Sequence, residues 1–212
     1  MQGIDEVERR IRSYWIVDGL ADILVGASLL GFALCQTMAD AHPSHPINWW
    51  GLTGSLYVIA TIFGGKWLVQ RMKWKITYPR TGYVGFPILR DWNMKAVAVL
   101  VLVLGSVIIL ALSHLEDEAS VAALAAILAV LLLIQAHRLS ARRYVGYAVV
   151  SLVGGTVSIY LLHHSSGILH LSTSDGNGVF VISGSAMLIG GLWALKRYLK
   201  AHPAKEEENA EF

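Results

Sequence analysis

The chain has 212 residues, of which 55% are hydrophobic and only 15% are Asp, Glu, Lys or Arg. Soluble domains carry about 25% charged residues, so this composition excludes an ordinary soluble globular domain and indicates an integral membrane protein. A single cysteine, Cys35, excludes an internal disulfide and any metal or redox site built on a cysteine pair.

The first 13 residues place Ile4, Val7 and Ile11 at helical spacing among charged side chains. This spacing predicts a short amphipathic helix on the membrane surface, and a solvated helical extension is the alternative. The apolar run that follows contains Asp18 and Asp22 and is too long for the core of a signal peptide. We therefore expect it to be retained as a transmembrane helix.

Six apolar runs are long enough to cross a membrane, since about 20 residues at 1.5 Å each span the hydrocarbon layer. These runs are 14–38, 48–70, 93–113, 119–137, 144–163 and 179–199. The predicted fold is an all-α integral membrane protein with six transmembrane helices in residues 14–200. The charged segment 201–212 lacks an apolar face and is predicted to be a disordered cytoplasmic tail.

Lysine and arginine occur before the first run and after the second, fourth and sixth, whereas the connections after the first, third and fifth contain neither. The positive-inside rule therefore predicts that both termini are cytoplasmic, in a bacterial cytoplasmic membrane. The opposite, outer face is expected to carry five carboxylates, those of Asp40, Glu116, Asp117, Glu118 and Asp175.

Two pairs of short segments suggest an internal repeat. Gly64-Gly65 near the end of the second run aligns with Gly190-Gly191 in the sixth, and Arg12-Ser13-Tyr14 aligns with Arg142-Arg143-Tyr144. Helices 1 and 5 point the same way, so the pattern favours a parallel repeat of hairpins 1–2 and 5–6. Shared chemistry at membrane-crossing helix ends is the alternative explanation.

Asp18, Asp22 and Lys66 form the predicted intramembrane polar cluster. An ionisable group within hydrocarbon needs a partner or a polar cavity. Counted from the predicted helix ends, Asp18 lies about 6 Å inward and Lys66 about 7.5 Å inward, so an ion pair between them fits in depth. Two interpretations stay open: a structural pair that locks the first two helices, with Arg80 or another loop base near Asp18, or a carboxylate that lines a polar cavity or proton path.

The segment 71–93 is the longest polar interval between apolar runs, and it alternates basic with aromatic residues. Within it, Pro79-Arg80-Thr81-Gly82 has the composition of a turn, so residues 75–86 are predicted to form a small β-hairpin on the membrane surface. Arginine can bind a lipid phosphate bidentately. We predict that this loop binds anionic lipid or a partner protein through Trp74, Tyr78, Arg80 and Tyr83.

The sequence TYPRTGYV in this loop follows a first run of the form YW-x-x-DG-x-x-[DE]-I-x-x-G, whose fixed positions are Tyr14, Trp15, Asp18, Gly19, Asp22, Ile23 and Gly26. This combination resembles a family of small bacterial multi-pass membrane proteins with no assigned activity. The resemblance covers about residues 13 to 90. It implies a membrane location and supplies no activity or catalytic residues.

Six of the eight histidines fall at the predicted outer face: His42, His45, His114, His163, His164 and His170. Together with the carboxylates there, they could bind a divalent metal. Two alternatives stay open. The histidines could stand at the outer interface in place of lysine, or their protonation could make the outer face respond to pH. No other cofactor is predicted.

Phosphate-cradling glycine loops, nucleophile elbows and paired haem-binding histidines are missing from the sequence, which favours a non-enzymatic role without deciding it. The predicted function is that of a structural or accessory membrane protein whose basic aromatic loop binds anionic lipid or a partner protein. The alternative is a small transporter or divalent-metal-handling protein. Expected partners are membrane lipids, a second copy or another membrane protein, and no nucleic acid.

Overall fold

The computed structural model describes residues 17–41, 49–78, 117–164 and 176–203. Within these ranges every regular element is helical, which confirms the all-α prediction for this part of the chain. The five long helices are α1 (Leu20–Ala41), α2 (Trp49–Ile76), α3 (Asp117–Leu139), α4 (Arg142–His164) and α5 (Asn177–Ala201).

Four of these helices are long and apolar enough to cross a membrane, over Leu20–Ala41, Glu118–Leu139, Arg142–Leu161 and Asn177–Ala201. The 22 residues of the first would extend about 33 Å, close to the thickness of a hydrocarbon core. These helices indicate a multi-pass membrane protein. The predicted third run, 93–113, and the segments 1–13 and 204–212 lie outside the described residues, so the count of six spans stays a prediction, as do the cytoplasmic termini and the repeat.

The helix pairs with the most extensive contacts are antiparallel. α1 packs against α2 and α5, and α4 packs against α3 and α5. Along the contact between α1 and α5, Phe32 meets Phe180 in an edge-to-face pair, while nearer the opposite end Gly26 lies against Gly184. α1 and α4 therefore run in one direction and the other three helices run in the other.

Glycines bring the backbones of α1 and α5 into direct contact. A Cβ atom placed on Gly26 would lie 2.6 Å from the backbone nitrogen of Leu188 and 2.7 Å from the carbonyl oxygen of Gly184. No side chain fits at either distance, so the interface requires small residues, as is common between membrane helices.

α3 has one buried and one exposed face. Val121, Ala125 and Ala129 are buried, and Ala125 packs where Gly155 of α4 leaves room. Large apolar side chains cover the other face, namely Val130, Leu131, Leu133 and Ile134. Similar exposed residues occur on every helix, and an apolar surface of this extent is typical of proteins that contact lipid.

The largest differences between the predicted and observed elements are at the start of α1, at the end of α2 and in the predicted hairpin. Val17 is helical, but Gly19 adopts a left-handed φ of 73° that interrupts the helix, so α1 begins at Leu20. The predicted first run is thus divided at this glycine, and residues 14–16 lie outside the described residues. α2 continues to Ile76, six residues past the predicted end at Gln70. The predicted β-strand beginning at Lys75 is wrong, since Lys75 and Ile76 are helical. Pro79 restricts chiefly the residue before it, so the helix can extend that far; the rest of the predicted hairpin lies outside the described residues.

Candidate functional site: two buried aspartates at a cation-rich end

The described lysines and arginines, other than Lys66, gather at one end of the bundle, called here the cation-rich end. It contains nine such residues from four helices: Arg71, Lys73, Lys75, Arg138, Arg142, Arg143, Lys196, Arg197 and Lys200. Among the described residues, the carboxylates at this end are those of Asp18 and Asp22. The opposite end carries Asp40, Asp117, Glu118, His163 and His164, and no described lysine or arginine. The charge segregation predicted from the sequence is therefore present in the described part of the fold.

Asp18 joins the start of α1 to the end of α2. Its Oδ1 atom accepts a hydrogen bond from the backbone N–H of Leu20 at 3.2 Å, which caps the first turn of α1. Its Oδ2 atom lies 2.8 Å from Lys73 Nζ and accepts a hydrogen bond from the Thr77 hydroxyl at 3.1 Å. Asp18 has no exposed surface and Lys73 retains 1%. The pair is therefore a buried ion pair with additional hydrogen bonds.

The sequence predicts Lys66 as the partner of Asp18, and the structure shows Lys73 as a partner that was not predicted. The side chain of Lys66 lies outside the described side chains, although its backbone belongs to α2. Lys73 is seven residues further along, about 10.5 Å at the helical rise. A helix that ends at Gln70 would leave Lys73 in the loop, and only the longer α2 brings it to the depth of Asp18.

Asp22 joins α1 to the first turn of α4. The Tyr144 hydroxyl donates to Oδ1 at 2.6 Å, and the Tyr147 hydroxyl donates to Oδ2 at 3.3 Å. Arg143 Nε lies 3.0 Å from Oδ2, and the Arg143 guanidinium carbon is 5.6 Å from the centre of the Tyr144 ring. Asp22 has no exposed surface.

Sequence reasoning did not identify Arg143, Tyr144 or Tyr147 as partners of Asp22. A signal was available, because the two tyrosines are three residues apart and so share one face of a helix. A buried phenol usually has a hydrogen-bond partner, and Asp22 is a carboxylate inside an apolar run, which needs partners of its own.

The buried environment limits what the two carboxylates can do. Each is contacted by three groups of the protein, and neither reaches solvent. A buried charge whose partners are all present fixes the position of its neighbours, and loss of one partner is strongly destabilising. The geometry suits a structural connection between helices.

The glycines beside these aspartates have packing roles. A Cβ atom on Gly19 would collide with the carbonyl oxygen of Gly191, and one on Gly191 would lie 2.8 Å from the Ile23 side chain. Asp18, Gly19, Asp22 and Gly26, four fixed positions of the first-run motif, therefore all lie at contacts between α1 and another helix.

A groove of about 500 Å³ opens at the cation-rich end, where Val17, which precedes α1, and the start of α4 meet the last turns of α5. We call it the Arg197 groove. Its lining residues are Val17, Arg143, Tyr147, Gly190, Trp193, Ala194, Arg197, Tyr198, Ala201 and His202. The Arg197 guanidinium carbon lies 5.7 Å from the centre of the Trp193 ring. A second depression, of about 320 Å³, is lined by Trp193, Lys196, Arg197 and Lys200.

Two of the four predicted loop residues are described. Trp74 is exposed, whereas Tyr78 is buried, and their rings meet edge to face at 5.4 Å. Arg80 and Tyr83 lie outside the described residues.

Two of the six outer histidines are described, at the end of α4. His163 Nε2 lies 3.1 Å from Glu118 Oε1, and the ring of His164 stacks on Tyr160. Within the described ranges no three His, Cys, Asp or Glu residues are grouped so that they could hold a metal. His42, His45, His114 and His170 lie outside these ranges, so the metal site stays a prediction.

No protein-family model matches this chain, and no curated protein or solved structure matches it either. The resemblance to a multi-pass membrane protein family stays a prediction. The chemistry of the two aspartates and of the cation-rich end is the basis for a functional proposal.

Proposed function

We propose that the protein is a non-enzymatic, six-span membrane protein of structural or accessory type, which binds anionic lipid headgroups at its cation-rich end. The main support for this proposal is that the acidic side chains at this end are buried while most of the basic ones are exposed. Asp18 and Asp22 are fully buried and bonded within the protein, whereas most of the nine cations lie on exposed parts of the helices. A surface with this charge balance attracts anions.

The location of the cations supports a lipid partner. Each lysine or arginine close to an anionic leaflet contributes about 1 kcal/mol to membrane attraction. Tryptophans accompany them, with the Arg71 guanidinium carbon 5.0 Å from the Trp67 ring centre and Arg197 over Trp193. Tryptophan is enriched where hydrocarbon meets headgroups. We assign the cation-rich end to the cytoplasmic side of a bacterial inner membrane by the positive-inside rule.

α2 fits this proposal as the second of six spans. Its 28 residues extend about 42 Å, more than the hydrocarbon thickness. The surplus length carries Arg71, Lys73 and Lys75 to the headgroup level. The segment 79–93, which follows in the chain, adds Arg80 and Arg90.

Lipid binding can be tested on the full-length protein in nanodiscs. We expect the thermal unfolding midpoint to be higher in anionic phosphatidylglycerol than in zwitterionic phosphatidylcholine. The difference should shrink as salt rises, because exposed charges are screened. Equal midpoints in the two lipids, at low as well as high salt, would refute a role for anionic lipid.

Transport is the competing function, with Asp22 as its candidate carboxylate. Proteoliposomes loaded with a pH-sensitive dye would report a proton path directly. We expect proton leakage no faster than in protein-free liposomes, since Asp22 is sealed by α4. Leakage that the protein accelerates and Asp22→Asn abolishes, while the variant stays folded, would favour the transporter.

A further inference from the structure

We propose that the Arg197 groove is a specific site for one anionic phospholipid, with its phosphate between Arg143 and Arg197 and an acyl chain along α5. This inference rests on the proposed function and deepens it, because it replaces a diffuse charged surface with a defined site and a ligand class.

The shape of the groove depends on small residues of α5. Gly190, Ala194 and Ala201 are four and seven residues apart, so they lie on one face of the helix and form a shallow apolar strip. Tyr147 occupies the space above Gly190, where a Cβ atom would meet its phenol ring. The volume of about 500 Å³ lies within the usual range for small-molecule sites.

The charge of the groove selects an anion. Arg143 and Arg197 enter it from different helices, and the structure leaves 25% of the Arg143 side chain exposed even though its Nε atom faces Asp22. Arg197 is exposed. Arginine's planar group binds phosphate through two parallel hydrogen bonds, which favours it at such sites. Within the described residues, the groove has no carboxylate on its walls.

The surroundings of the groove identify the anion as part of a lipid. Along α5, the strip adjoins Ile189, Leu192 and Trp193, which are 67%, 51% and 64% exposed. α5 is one of the four helices able to cross a membrane, so hydrocarbon chains lie against this surface. A ligand with both a phosphate and an apolar chain would contact the two arginines and the apolar strip, whereas free phosphate would contact only the arginines.

The first test compares the loss of one positive charge inside the groove with the loss of one outside it. Native mass spectrometry of the detergent-solubilised full-length protein would measure retention of phosphatidylglycerol, phosphatidylcholine and soluble glycerol phosphate. Arg197→Gln should weaken phosphatidylglycerol binding about tenfold, the size expected for one charge-assisted contact. Arg138→Gln removes a charge from the same end, outside the groove, and should leave binding within about twofold of the wild type.

The second test blocks the groove without changing charge. Val17 lines the groove and is exposed, so Val17→Trp should reduce binding of phosphatidylglycerol while Val149→Trp, at an exposed site on α4 outside the groove, should not. Glycerol phosphate binding as strong as that of the lipid would assign the groove to free phosphate and overturn the proposal.

The remaining outcomes separate the site from the general function. If the wild type prefers phosphatidylglycerol but Arg197→Gln and Arg138→Gln weaken it equally, the groove is not the site and the charged surface as a whole binds lipid. If the wild type shows no preference for the anionic lipid, the groove and the proposed function fail together. Retention of a co-purifying protein that Val17→Trp releases, in place of lipid, would assign the groove to a protein partner and also overturn the proposal.

Discussion

Lys73 Nζ lies 2.8 Å from Asp18 Oδ2, and the two side chains are buried where α1 begins and α2 ends. A pair of this kind is weak evidence for net stability, because both ions lose their hydration. Removal of either ion, however, leaves the other buried without a counter-ion. The effects of substituting Asp18 and Lys73 on stability should therefore be non-additive.

Asp18→Asn should lower the free energy of unfolding by about 3–5 kcal/mol, since it leaves the Lys73 cation buried without its counter-ion. Lys73→Met should have a similar effect through the stranded carboxylate. The double variant, Asp18→Asn with Lys73→Met, should recover a large part of the loss. Denaturant unfolding in detergent micelles would measure all three.

Lys75→Met is the matched control, since Lys75 is exposed two residues further along α2. It should change stability by less than about 0.5 kcal/mol. Additive losses in the double variant would show that Lys73 is not the partner of Asp18.

The hydrogen bond from Tyr144 to Asp22 predicts a second, separable effect. Tyr144→Phe deletes a donor 2.6 Å from a buried carboxylate and should cost about 1.5–3 kcal/mol of unfolding free energy. Tyr147→Phe should cost less, because its hydroxyl is 3.3 Å away. Tyr160→Phe removes a hydroxyl from an exposed ring of the same helix and should be nearly neutral. Equal effects of Tyr144→Phe and Tyr160→Phe would contradict the assigned role of Asp22.

A glycine-to-alanine substitution should destabilise the fold at the contact between α1 and α5, and should not do so at an open position on another helix. Gly26→Ala introduces a methyl group 2.6 Å from the Leu188 nitrogen and should destabilise the fold by about 1–3 kcal/mol. Gly146→Ala, on α4, meets no atom within 4 Å and should be neutral or stabilising by up to about 1 kcal/mol. Thermal unfolding of the two variants would measure the difference, and a tolerated Gly26→Ala would mean that the helices do not approach so closely.

The sequence contained enough information to predict the helical fold and the separation of charges, because both follow from the cost of placing polar groups in hydrocarbon. That cost also marked Asp18 and Asp22 as residues that need partners. It does not say which partners they have. An error of six residues in the end of α2 shifts a depth estimate by about 9 Å, close to the separation of about 10.5 Å between Lys66 and Lys73 along the helix.

The partners of Asp22 were harder to predict for a different reason. Arg143 and Tyr144 are 121 and 122 positions away in the chain, and their approach depends on how α1 and α4 are placed by α5. Sequence periodicity shows which residues share a face of one helix, but it does not show which helices pack against each other. The Arg197 groove could not be predicted for the same reason, since its walls come from α4, α5 and the residues Val17 and His202 just outside α1 and α5.

The central claim is that the cation-rich end faces the cytoplasm, and labelling of single cysteines in intact bacterial cells tests it most directly. In a Cys35→Ser background, Lys75→Cys and Glu118→Cys place an exposed thiol at the two opposite ends of the bundle. A membrane-impermeant maleimide should label Glu118→Cys in intact cells and Lys75→Cys only after the membrane is opened. Labelling of Lys75→Cys in intact cells, with Glu118→Cys protected, would contradict the orientation and remove the basis for lipid binding at the cytoplasmic leaflet.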